Sequence, residues 1–120
     1  MKQIIKLTGG DETVFLQQGL YKIFITGGYS VSLPNNFKIT LTDIETNEEV
    51  KLKNTLRIRS NENGIKAVRL YSFEVKKGAT FKISIANGSK VVVKRSMLWS
   101  RNLISGNVNL NDCYLGIDNL

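Results

Sequence analysis

The chain has 120 residues and a formal charge of +7, from 17 basic and 10 acidic side chains, a balance that favours anionic partners and opposes self-association. That length suits one domain that buries roughly two thirds of its unfolded surface, and the lone cysteine, Cys113, excludes an internal disulfide framework. Histidine is absent, which removes the commonest general base, the Ser-His and Cys-His pairs, and the commonest transition-metal ligand.

Residues 2–8 read as a first strand, closed by Gly9-Gly10-Asp11-Glu12, a cluster that tolerates tight-turn geometry. This amino-terminal stretch has no long apolar run of the signal-peptide kind, and no later run is long enough to cross a bilayer. The expectation is therefore synthesis in the cytoplasm without a cleaved leader, with later incorporation into a virion or other assembly left open. Residues 13–17 form a second expected strand, and Gln17-Gln18-Gly19 turns into a third at 20–26. In that strand Tyr21, Ile23 and Ile25 alternate with the opposite face, the period of a strand with one side buried. The same pattern returns sixty residues later in Phe81, Ile83 and Ile85, so the chain has either two similar halves, about 1–60 and 61–120, or a coincidence of common strand residues.

Gly27-Gly28 ends the third strand, 29–33 continues as a short one, and Pro34-Asn35-Asn36 stops it because proline cannot donate to a ladder. Phe37, Ile39 and Leu41 then alternate with Lys38, Thr40 and Thr42, and beyond an acidic turn at 43–49 the alternation resumes, which predicts a hairpin. Over 50–60 the even positions Val50, Leu52, Leu56 and Ile58 are apolar. The odd positions include Lys51, Lys53, Arg57 and Arg59, which share one face if the strand is not bent at Asn54-Thr55.

Asn61-Glu62-Asn63-Gly64 is a turn signal before a strand at 65–75. In that strand the apolar phase shifts from Val68 and Leu70 to Tyr71, Phe73 and Val75, which calls for a bulge near Leu70-Tyr71 or a passage between sheets. Lys76-Lys77-Gly78 leads into 80–86, and Asn87-Gly88-Ser89 joins that strand to 90–94, where Val91-Val92-Val93 implies burial on both faces. Residues 96–104 fit a strand or one to two helical turns, and a final strand is expected either near Val108 and Leu110 or at 114–117. Eight to ten short strands without a long helix predict an all-β fold, an antiparallel β-sandwich of jelly-roll or related Greek-key type.

The acids Asp43, Glu45, Glu48 and Glu49 share one turn, where nothing would desolvate a carboxyl and raise its pKa. Neither a phosphate-cradling Gly-x-x-x-x-Gly-Lys loop nor Gly-x-Gly-x-x-Gly occurs, and Asp11, Glu12, Asp112 and Asp118 lack the EF-hand spacing. Cys113 reads as a small buried residue. No catalytic residue, metal site or cofactor is therefore expected.

Among binding features, Lys51, Lys53, Arg57 and Arg59 form a basic stripe for an anionic partner, or else an ordinary solvated or protected edge. No aromatics interleave with these cations, which argues against nucleic acid. Phe24 lies opposite the Tyr21 series and requires an apolar cover, from a second core layer, from the C-terminal segment folding back, or from another subunit. Tyr29 and Trp99 are the candidates for stacking on a sugar ring. Three functions fit: a non-catalytic assembly or interaction module, such as a virion structural or decoration component, whose partners are copies of itself or other subunits; a lectin-like carbohydrate-binding module; or a small inhibitor or immunity-type protein. The first is preferred.

Overall fold

The computed structural model describes residues 3–62, 64–94 and 108–120. These residues form an all-β arrangement of ten strands: β1 (Gln3–Lys6), β2 (Glu12–Leu16), β3 (Gly19–Thr26), β4 (Ser30–Ser32), β5 (Lys38–Asp43), β6 (Lys53–Glu62), β7 (Ile65–Val75), β8 (Ala79–Ala86), β9 (Val92–Lys94) and β10 (Tyr114–Asn119). Single turns of 3-10 helix lie at Gly88–Lys90 and Leu110–Asp112. The expectations for residues 96–104, Trp99 among them, fall outside the described residues.

Every strand pair is antiparallel, and the principal pairs are nested. β1 pairs with β10, β2 with β8, and β3 with β7. Innermost, Thr42 bridges Glu49, and the Val50 N–H donates to the Leu41 carbonyl at 2.7 Å. The chain is thus a long antiparallel ribbon that reverses at 43–49. Asp43 makes that reversal: its Oδ1 accepts the N–H groups of Glu45 at 2.9 Å and Thr46 at 3.3 Å, and Asn47 takes a left-handed φ of 58°, a conformation asparagine tolerates. Folding the ribbon adds the lateral pairs β10–β3 and β5–β8. The result is a five-stranded sheet in the order β1-β10-β3-β7-β6, a three-stranded sheet β2-β8-β5, and a small sheet β4-β9.

The two echoing segments become the central strands of different sheets. Tyr21, Ile23 and Ile25 of β3 enter the same apolar cluster as Phe81 and Ile83 of β8, joined by Leu41, Val93, Leu115 and Ile117. Removing each such side chain from water contributes roughly 1.5–3 kcal/mol. Tyr21 stacks on Phe73 with ring centroids 5.4 Å apart, and its hydroxyl donates to the Gln17 carbonyl at 2.7 Å. The valine run differs from expectation: Val91 and Val93 are buried, but Val92 is half-buried where β9 meets Ser32.

The phase shift in β7 is a bulge. Tyr71 pairs with Ile23 and Arg69 with Phe24, leaving Leu70 as the extra residue. The stretch 50–60 is not one straight strand: β6 begins at Lys53, and its register with β7 shifts between Asn54 and Ile58. Residues 55–57 therefore stand against Leu70 alone. Two irregularities at one level of the β6–β7 hairpin bend it and increase its twist.

Candidate functional site

The face of the five-stranded sheet turned away from the Tyr21 series carries Leu20, Lys22, Phe24 and Thr26 of β3. The ladders extend it into rows. One runs Asp118, Lys22, Ser72, Lys53, and the next runs Ile4, Gly116, Phe24, Arg69, Ile58. Phe24, a candidate subunit contact from sequence, is 0% exposed. Its ring lies over Gly116, where any Cβ would fall on the ring carbons, and the Lys22 ammonium stands 5.9 Å from its centroid. Phe24 thus packs on the C-terminal strand and is fully buried within the chain, so it is not available to a partner.

Beside Phe24 lies a group the sequence did not disclose. Glu62, 5% exposed, takes the Lys22 ammonium on Oε1 at 2.7 Å, while Arg69 Nε approaches Oε2 at 3.6 Å. Burial pushes the Glu62 carboxyl up, but the Lys22 hydrogen bond and the charges of Lys22 and Arg69 outweigh it and bring the pKa below its ordinary value. The contact also reports curvature. Lys22 pairs with Ser72 and Glu62 with Ile65, positions about 23 Å apart along a straight β7 at roughly 3.3 Å per residue. Two side chains cannot span that distance, so the hairpin curls back over β3, as its paired bulges allow.

The same outer face exposes apolar side chains. The Leu120 N–H donates to the Leu20 carbonyl at 3.0 Å, and the two leucines, 60% and 55% exposed, line a shallow cavity with Lys51, Lys53, Ser72, Phe73 and Glu74. Ile4 and Ile58, each about half exposed, mark the two edge strands of the sheet.

The basic stripe is not one face. Lys53 pairs with Ser72 on the outer side, whereas Arg59 pairs with Val68, which shares the Ile25 side. The register shift at 55–57 separates them. Lys51 and Lys53 therefore belong to the leucine cavity. Arg57 turns instead to β4, donating from Nη1 to the Val31 carbonyl at 2.8 Å. Arg59 lines a separate open cavity with Tyr29, Ser60 and Asn61, and the Lys66 ammonium stands 5.3 Å from the Tyr29 ring. The sequence had named Tyr29 and Arg59 apart, and the hairpin brings them together. Glu45, Glu48 and Glu49 lie exposed in the turn at 43–49. Burial and the neighbouring Asp112 charge push the Cys113 thiol pKa up, which suppresses the nucleophilic thiolate.

Comparison with protein-family models, with curated proteins and with solved structures gives no match.

Proposed function

We propose that the chain is a non-catalytic assembly module, a jelly-roll β-sandwich that docks onto another protein subunit through the outer face of its five-stranded sheet. The nested pairing supports the jelly-roll part, because folding a long antiparallel hairpin so that its arms alternate between two sheets is the plan of that fold. Here the arms pair as β1–β10, β2–β8 and β3–β7, and β5 meets residues 49–50 before β6 crosses to the larger sheet. Jelly rolls recur in virion coats, and the reading of the chain as a virion structural or decoration component rests on that analogy alone.

The observation that carries the docking surface is the exposed pair Leu20 and Leu120, set beside Lys51, Lys53 and Glu74. Large apolar side chains ringed by charge are the composition of an interface core and rim. The patch also contains both signs, so two copies related by a two-fold axis can set Lys51 or Lys53 of one against Glu74 of the other. A second copy of the chain is therefore the partner assigned to it. Sedimentation velocity across a concentration series tests this: the wild type should associate reversibly, and Leu20→Asp, at an exposed position, should sediment as a monomer with unchanged Tm. A wild type that stays monomeric at every concentration, or a variant that associates equally well, would refute the assignment.

A further inference from the structure

The end of the molecule carrying the β6–β7 hairpin tip holds a second surface, distinct from the leucine patch. Arg59, Tyr29 and Asn61 line one open cavity. Lys66 pairs with Asn61 across the hairpin, and its ammonium stands over the Tyr29 ring at 5.3 Å. The Lys66 carbonyl accepts the Gly27 N–H at 2.9 Å, which ties the tip to the segment leading into Tyr29. Arg57 is fixed to the Val31 carbonyl at 2.8 Å, and Lys94 pairs with Ser30, the residue after Tyr29. Four cations thus surround β4 and Tyr29. Among the described residues the ion pairs formed by basic side chains go to Lys22, Arg69 and Lys82, so these four have no carboxylate partner. The nearest acid along β6, Glu62, is already engaged by Lys22 and Arg69.

We propose that this end binds an anionic saccharide, a sugar carrying sulfate or carboxylate groups, with the ring against Tyr29 and its oxyanion between Arg59 and Lys66. The chemistry of each group fits one part of such a ligand. A tyrosine ring offers an apolar face with a polar tip to the C–H face of a sugar. The planar guanidinium of Arg59 offers paired donors to an oxyanion, and the Lys66 ammonium adds a point charge. The Asn61 amide both donates and accepts, as sugar hydroxyls require. Single-stranded nucleic acid calls for a succession of aromatic platforms along a basic groove. The cavity offers one aromatic ring, Tyr29, which suits a single sugar residue rather than a run of bases.

The test is isothermal titration of the full chain with a heparin-derived sulfated tetrasaccharide and with its desulfated counterpart. The sulfated probe should bind and the desulfated one should not. Affinity should fall with salt, and Arg59→Ala and Lys66→Ala should each weaken binding by at least about tenfold, the scale of one charge-assisted contact. Tyr29→Ala should also weaken it, and Tyr29→Phe, which retains the ring and serves if the alanine variant fails to fold, should restore most of the affinity. Lys82→Ala, an exposed cation on the other sheet, should leave it unchanged. Absence of binding, an equal loss from Lys82→Ala, or tighter binding of an oligothymidylate of equal charge would each overturn the proposal.

Discussion

Replacing Glu62 by glutamine preserves its shape and removes its charge, and the consequence can be worked from the surroundings of the carboxylate. Lys22, whose side chain is only 12% exposed, loses its 2.7 Å partner, and Arg69 loses a weaker one. Breaking a fully buried pair costs about 3–5 kcal/mol, and a hydrogen bond to a charged group contributes about 1.5–3 kcal/mol. Arg69 keeps access to water at 31% exposure, so the lower range applies, about 2–3 kcal/mol. With an unfolding entropy of roughly 2.1 cal/mol/K per residue, a chain of 120 residues loses about 4 °C of Tm per kcal/mol, which makes the expected drop about 8–12 °C. The pH dependence gives the sharper test. Because the folded pKa of Glu62 is depressed, its contribution is complete above the ordinary carboxylate value of 4.5, declines below it, and is lost as pH falls through the lowered folded value. Urea unfolding of both proteins from pH 7 to pH 2 should therefore show a gap in stability at neutral pH that closes in acid. Lys22→Met is the less discriminating variant, since Lys22 also acts on Asp118. A gap of equal size at both ends of the range, or none at pH 7, would refute the reasoning.

Gly116→Val should be destabilising, because its side chain would occupy the position of the buried Phe24 ring; overpacking of this kind costs about 1–3 kcal/mol, readable as a lower urea midpoint. Cys113 should resist iodoacetamide in the native protein at pH 8 and react on unfolding, since the thiol is buried and its pKa raised; rapid native labelling would contradict its placement. Arg57→Ala removes one hydrogen bond to the Val31 carbonyl and should cost about 1 kcal/mol, with hydrogen exchange accelerated in 30–32 before any other segment.

The sequence discloses those parts of the fold whose signal is local. Alternation located β3, β5, β7 and β8, and the phase change between Leu70 and Tyr71 called for a bulge or a passage between sheets, of which the ladder to β3 shows the bulge. The turn at 43–49 was legible from its acidic cluster between two alternating stretches, and Asp43 forms it by accepting backbone N–H groups. The basic stripe required an unbent strand at Asn54-Thr55, and the register shift between Asn54 and Ile58 is that bend, so the four cations do not share one face; no glycine or proline in 55–57 decides the matter from sequence. Glu62 was hidden for a different reason. It sits among turn-forming residues, where an acid is ordinarily solvated, and its partner Lys22 is forty positions away in the sequence. Phe24 gave a correct signal, an apolar residue on the wrong face that must be buried, but the sequence did not identify Gly116 as the strand neighbour that makes room for its ring. Tyr29 and Arg59 were each visible as residue types, while their meeting depends on the pairing of β6 with β7 and the course of the chain after β3.

The docking surface is tested most directly by a photo-crosslinking residue placed at position 20, with position 82 on the three-stranded sheet as control. Irradiation of each substituted chain, at a concentration where it associates, should yield chain-to-chain products from position 20 and none from position 82. Products from position 82 alone, or from neither position at concentrations where the chain associates, would contradict docking through the outer face of the five-stranded sheet.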